Sequence, residues 1–263
     1  MNESVVRLSI ESGIARITLH RPEAMNALSA EVLRELIASF DRIESGGEAR
    51  VVVLSGSGTA FCAGGDLKGL RNALDKGQRG PFFDLLRLGQ VAMQRLEKLP
   101  VPTIAAVNGV AVAGGLELIL CCDLVVAAES ARIGDGHAKF GLIPGGGGAV
   151  RLPRKLPVAL AKELLYSGDL MPATELARWG LVNRVVPDDQ LDQAVNELAG
   201  RMARNSPLGL GLIKRLVDDG LEQPQATALR AEIAAFEGYI GSHDLSEGLS
   251  AFVERRKPRF SGS

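Results

Sequence analysis

Short, densely apolar runs alternate along the first half of the chain with longer segments whose apolar residues recur every three or four positions. Val5 to Ile10 and Ile14 to Leu19 flank Glu11-Ser12-Gly13. That spacing predicts an antiparallel hairpin, because glycine tolerates the positive φ of a tight turn. Ser29 is placed to cap a helix carrying Val32, Leu33, Leu36, Ile37 and Phe40 on one face and ending before Gly46-Gly47. The run from Arg50 to Ser55, with Val51-Val52-Val53-Leu54 at its centre, and the run Thr103 to Val107 have no polar alternation. This is the pattern of strands covered on both faces. Between them, Leu67 to Leu99 holds two helical patterns broken at Gly77 to Pro81, and its charged texture predicts a mobile cover.

A helix at Gly115 to Cys122 and a strand at Leu124 to Ala128 continue the alternation, so the reading is α/β with mostly parallel strands. Pro144 and Gly145 to Gly148 make the next turn. From Pro153 the pattern is mostly helical, with a short strand at Val182 to Val186. Helices are predicted at Leu191 to Ala203, Leu208 to Asp218, Ala226 to Ile240 and Ser246 to Arg255. These amphipathic helices need a surface to cover, as a lid or as an oligomer contact.

Composition narrows the function classes. With 263 residues, 46% of them hydrophobic, the chain can bury a large core as one domain, with or without a helical appendage. Thirty basic and thirty-one acidic residues nearly cancel, so the field expected of a nucleic-acid binder is missing. Cys62, Cys121 and Cys122 make an odd count with no disulfide framework. The segment Met1 to Arg7 has no basic flank or long apolar core, and no stretch reaches about 18 uninterrupted apolar residues. The expectation is a soluble, unexported cytoplasmic protein that does not enter membranes. GxGxxG, GxxxxGK[ST], HExxH, GxSxG and CxxC are all absent, and no metal site is expected.

Two glycine-rich turns carry the candidate chemistry. Phe61-Cys62-Ala63-Gly64-Gly65-Asp66 and Ala113-Gly114-Gly115-Leu116-Glu117 each follow a β-branched run. Without a Cβ, Gly65 and Gly114 let a ligand oxygen approach their backbone N–H groups, although glycines also serve merely to pack strand against helix. Glu117 follows Gly114 by one helical turn and sits among Leu116, Leu118, Ile119 and Leu120. Apolar surroundings raise a carboxyl pKa and suit it to proton transfer; the alternative is a solvated or helix-capping glutamate. Asp135 and His137, in Ile133-Gly134-Asp135-Gly136-His137, are candidates to face the same cavity. Histidine titrates nearest neutrality, so His137 is either a second acid/base or a loop residue satisfied by backbone. Cys62, with small apolar neighbours and no basic partner, reads as a packing residue.

Taken together, these motifs resemble the enoyl-CoA hydratase/isomerase, or crotonase, superfamily. Arg21-Pro22-Glu23-Ala24-Met25-Asn26-Ala27-Leu28 is similar to its early signature, and Ala60 to Leu67 to its first CoA-binding turn. Val107-Asn108-Gly109 through Glu117 to Cys122-Asp123 is similar to the second. The similarity continues through Phe140 to Gly145, Thr174 to Pro187 and Glu247-Gly248 to Arg256, covering about Arg16 to Phe260. The resemblance implies an α/β fold, a crotonase-like spiral of ββα turns over residues 1–195 with a C-terminal helical trimerisation region over 196–263. It also implies trimers, often paired into hexamers. An acyl-CoA thioester is the implied substrate, and since coenzyme A is part of it, no separate cofactor is implied.

By position in the matching motifs, the N–H groups of Gly65 and Gly114 would form the oxyanion hole, and Ala24, Ala63, Asp66 and Leu67 would lie along the CoA path. Phe252 and Arg255 match a terminal segment that in relatives reaches CoA, commonly from a neighbouring subunit. Family hydratases usually use two glutamates: Glu117 matches the first, while His137, with Asp135 two residues upstream, stands at the second. The reading is an enoyl-CoA hydratase in which Glu117 activates water and His137 or Asp135 assists proton delivery. Other reactions of the same enolate remain open: isomerisation, decarboxylation, C–C cleavage or thioester hydrolysis. So does a weakly catalytic CoA-binding oligomer. The acyl pocket wall is expected around Leu70 to Met93.

Overall fold

The computed structural model describes residues 4–263, apart from the side chains of Lys68, Leu70, Ala73 and Leu74. Met1 to Glu3, the start of the segment read as lacking an export signal, lie outside the described residues. The hairpin forms as expected: β1 (Val6–Glu11) pairs antiparallel with β2 (Ile14–Leu19). Both turn residues, Ser12 and Gly13, take positive φ. Helix α1 (Ala30–Gly46) starts at Ser29, whose side chain accepts from Val32 N–H, and stops at Gly47 in the left-handed region.

From there three strands of a first sheet each run directly into a strand of a second. β3 (Val51–Gly56) is followed by β4 (Ala60–Cys62) and then by α2 (Leu67–Asp75) and α3 (Gly80–Glu97). β5 (Thr103–Val107) leads into β6 (Val110–Val112) and α4 (Gly114–Leu120). β7 (Leu124–Ala128) leads into β8 (Arg132–Gly134), and α5 (Gly148–Lys155) and α6 (Val158–Ser167) follow. The second sheet closes with β9 (Leu170–Pro172); after α7 (Ala173–Arg178), β10 (Arg184–Val186) closes the first. The sheet orders are β1-β2-β3-β5-β7-β10 and β4-β6-β8-β9. Pairing is parallel except for β1 with β2 and β8 with β9. This is a spiral of ββα turns. The short strands of the second sheet were not predicted from the residues, and α4 ends two residues earlier than expected, leaving Cys121 and Cys122 beyond it.

The all-apolar strands are buried on both faces, and residue parity sorts them. Val52, Leu54, Ala105, Val107, Val125 and Ala127 face the main core, whereas Val51, Val53, Ile104, Ala106, Val126 and Ala128 face a second layer. That layer is α8 (Leu191–Met202), through Leu191, Val195 and Ala199. The division expected after residue 195 therefore falls inside α8, both halves of which lie on the sheet. The helices that leave the sheets begin with α9 (Pro207–Gly220), followed by α10 (Gln225–Tyr239) and α11 (His243–Glu254). Much of their apolar surface is exposed, including Ile213, Val217, Leu229, Ile233, Phe236 and Phe252.

The segment predicted as a cover divides in two. The C-terminal half of α3 packs on α1 and buries Ala92, Met93 and Leu96, so it is core; the N-terminal half stays partly exposed. Cys62, Cys121 and Cys122 are free and buried, and burial pushes the thiols of Cys62 and Cys122 up to about 12, which fits packing rather than nucleophilic roles. Among the described residues no helix is long and apolar enough to cross a membrane. Leu54→Ala, in a fully buried central strand, is expected to cost about 2–5 kcal/mol, read as a lower urea midpoint with an unchanged slope.

Candidate active site

The pairing of β4 with β6 decides where the two glycine turns lie. The strands are parallel neighbours, so the turns leaving their C-terminal ends sit side by side. Contact is close enough to restrict side chains. A Cβ on Gly64, whose φ is 91°, would come within 2.8 Å of the Ala113 methyl, and one on Gly114 within 2.8 Å of Leu28 Cδ1. Gly65 has no atom within 4 Å of where its Cβ would stand. Among the described residues neither the Gly65 nor the Gly114 N–H has a protein acceptor, and both residues line one cavity of about 170 Å³. Ala113, just before α4, holds φ 54° and ψ −114°, a conformation costing on the order of 1–3 kcal/mol for an L residue. Its N–H donates to Gly134 O at 3.2 Å.

Glu117 lies in the same cavity wall and is only 3% exposed. It is neither solvated nor a cap of its own helix. Its Oε1 accepts from Gly146 N–H at 2.7 Å and Gly148 N–H at 2.9 Å, the first from the glycine turn before α5 and the second from the first residue of that helix. Among the described residues no donor meets Oε2. Burial raises the carboxyl above its ordinary range, opposed by these N–H groups and by His137.

His137 lines the cavity too, but Asp135 does not. Asp135 is fully buried behind the ring: its Oδ1 is 3.0 Å from His137 Nδ1, and its Oδ2 accepts from His137 N–H at 3.2 Å. The expectation that Asp135 faces the cavity is thereby corrected: its carboxylate is committed to the histidine. Burial alone would lower the imidazole pKa, but the bond to Asp135 and the charges of Asp135 and Glu117 outweigh it and raise it above the ordinary value. With Nδ1 held by Asp135, Nε2 is the nitrogen left for other chemistry.

The rest of the wall is apolar. Phe82, Leu85, Leu86, Gly89 and Met93 come from α3, within the expected span, while the Leu70 side chain is not among those described. Leu142 and Ile143 close the other side. Ala63 and Leu67 line the cavity, whereas Ala24 stands outside it at the end of a short 3-10 helix. Asp66 caps α2 through Gly69 N–H at 3.2 Å and lies 3.9 Å from Arg21 Nη1. Phe252 and Arg255 are exposed at the end of α11 and are not brought to the cavity within this chain. Among the described residues no group of three or more His, Cys, Asp or Glu is arranged for a metal.

The profile of the enoyl-CoA hydratase/isomerase family matches residues 9–263. The chain belongs to that family. It is 41% identical to the protein YngF of Bacillus subtilis over the whole of both chains. To the crotonyl-CoA hydratase of Syntrophomonas wolfei it is 36% identical, over 96% of each. A crystal structure of enoyl-CoA hydratase from Bacillus anthracis superposes with a TM-score of 0.94 at 38% identity, over 98% of this chain and 100% of that one. The crotonase fold and an acyl-CoA-processing activity follow from this membership.

A family-signature residue has a structural role that sequence reasoning missed. Asn26 is fully buried: Oδ1 accepts from Arg21 N–H at 2.9 Å, and Nδ2 donates to Ser57 O and Ala60 O at 2.9 and 2.7 Å. It ties the signature loop to β4, and Ala63 N–H then bonds Met25 O and Leu28 N–H bonds Gly64 O. A polar residue inside the motif was the available signal. Asn26→Ala leaves these groups unpaired and is expected to lower stability by about 2–3 kcal/mol, measured by chemical denaturation.

Proposed function

We propose that this enzyme adds water across the double bond of 2-enoyl-CoA thioesters. One observation carries the reading: a buried carboxylate, held through one oxygen only, shares a cavity with two backbone N–H groups that lack protein acceptors. In this mechanism the N–H groups of Gly65 and Gly114 donate to the thioester oxygen. Glu117 Oε2 takes a proton from water as its oxygen bonds to C3. The electron pair of the C2–C3 double bond moves to C2, and the charge is stabilised on the thioester oxygen. His137 Nε2, protonated, delivers a proton to C2 and completes the 3-hydroxyacyl thioester. Proton return from Glu117 to His137 through solvent resets the site. Asp135 acts through His137 by fixing its tautomer and favouring its charged form.

Coenzyme A is part of the substrate, with Ala24, Ala63, Asp66 and Leu67 along its path, and no other cofactor is proposed. The exposed apolar surface of α9 to α11 supports a trimer, paired or not into a hexamer, in which Phe252 and Arg255 reach the CoA of a neighbour. A cytoplasmic location suits three free thiols. An imidazole where family hydratases carry a second carboxylate also favours a second reading: isomerisation, decarboxylation, C–C hydrolysis or thioester hydrolysis through the same enolate. Turnover of Δ3-enoyl, malonyl-type or β-keto thioesters in preference to 2-enoyl ones would select it.

Crotonyl-CoA is expected to lose its enoyl absorbance and gain the mass of one water. Glu117→Gln is expected to lower kcat/KM at least about a hundredfold, roughly 2.7 kcal/mol of transition-state stabilisation; a loss below about tenfold removes Glu117 from its role. The wild-type pH profile of kcat/KM should be bell-shaped. Its acid limb lies above the ordinary carboxylate range, because Glu117 must be ionised, and its alkaline limb above the ordinary imidazole value, because His137 must be protonated. Asp135→Asn removes the larger part of what raises His137, leaving only the Glu117 charge, so the alkaline limb should move to lower pH while the acid limb keeps its place to first order.

A further inference from the structure

Glu117 Oε1 is held by a glycine loop whose Gly145 carbonyl accepts from Gln90 Nε2 at 3.1 Å and whose Gly147 carbonyl accepts the first backbone bonds of α5, which leaves the carbonyl between them, that of Gly146, to be held from elsewhere. Gly145 to Gly148 are four consecutive glycines, so no Cβ restricts the backbone over this stretch. Yet the peptides alternate in a set order. The 145–146 peptide gives its N–H to Glu117 at 2.7 Å and the 147–148 peptide gives its own at 2.9 Å. The peptide between them turns its carbonyl the other way, where Gly146 O accepts from Arg151 Nη1 at 2.8 Å. Arg151 stands one turn into α5, and its guanidinium fills the space a side chain at Gly147 would need. Its other two nitrogens are locked by Glu97 of α3, Nε to Oε1 at 2.9 Å and Nη2 to Oε2 at 2.7 Å. A bidentate fork of this kind fixes direction as well as distance. The pair is largely buried, with side-chain exposures of 16% for Arg151 and 34% for Glu97. Burial raises the Glu97 carboxyl, but its bond to Arg151 together with the charges of Arg151, Lys155 and Lys98 outweighs this and holds it below the usual range.

We infer that Glu97 and Arg151 are positioning residues: together they pin the Gly146 carbonyl, and so keep two loop N–H groups aimed at Glu117 Oε1 and Oε2 turned to the reaction. The inference rests on Glu117 being the base proposed above. Released, the glycine loop gains other conformations and Glu117 loses part of the hydrogen bonding that opposes its burial. Glu117 then ionises at higher pH and is less well placed for water. The effect belongs to the chemical step, since neither Glu97 nor Arg151 lines the substrate cavity.

The test compares wild type with Glu97→Gln, Arg151→Gln, Arg151→Lys and the Glu97→Gln/Arg151→Gln double variant, using crotonyl-CoA across pH. Melting temperature and an infrared titration of the Glu117 carboxyl, taken as the difference from Glu117→Gln, are read alongside. Each single variant is expected to lose about tenfold or more in kcat with KM within about twofold, and to show its acid limb and its infrared midpoint at higher pH. Arg151→Lys keeps the charge but not the fork and should stay impaired. The double variant should be no worse than Arg151→Gln, because the two side chains act as one unit. The inference is overturned by an unmoved infrared midpoint in folded Glu97→Gln, by an unchanged kcat, or by losses that multiply in the double variant. If wild type fails to hydrate crotonyl-CoA, the hydratase reading fails for that substrate; the infrared midpoint, which needs no turnover, still decides for or against the clamp.

Discussion

Parallel pairing of β3, β5 and β7 is the constraint from which the site follows. Each of these strands passes within a few residues into β4, β6 or β8, so register set in the first sheet is handed to the second. Two loops separated by about 50 residues of sequence are thereby placed so close that a Cβ added to Gly64 or to Gly114 would come within 3.3 Å of the other's backbone. Nothing in either loop alone would fix that geometry. The strained backbone of Ala113 is tolerated because the ladder on one side and α4 on the other determine its position.

Within that frame, the electrostatics of the cavity come from unequal treatment of neighbouring groups. Glu117 is desolvated but hydrogen-bonded only to backbone, so its charge is disfavoured without being neutralised. Asp135 is more deeply buried, yet it has His137 as a partner. In the proposed mechanism one carboxylate is thus the proton acceptor while the other keeps a histidine ready to give one.

The elements legible in the sequence are those with a local signature. Ser29 capping α1, the valine run of β3 and the Gly13 turn each depend on neighbours within a few residues. The second sheet was invisible because its strands are three residues long and show no period at that length. Glu117 was found because a charge interrupts an apolar run, and its donors were missed because they lie 29 and 31 residues away. The Glu97–Arg151 fork spans 54 residues, and each member looks locally like an ordinary helix-surface charge. Asp135 and His137 were read as equals because only the fold shows which one stands behind the other.

The three cysteines bracket the elements of the candidate site: Cys62 ends β4 just before Gly64 and Gly65, and Cys121 and Cys122 directly follow α4. All are inaccessible in the folded chain. A thiol reagent can therefore reach them only when this part of the core opens. The rate at which they are alkylated under native conditions is a clock for local unfolding of the layer that carries Gly65, Gly114 and Glu117, supplied by the native sequence without any introduced label.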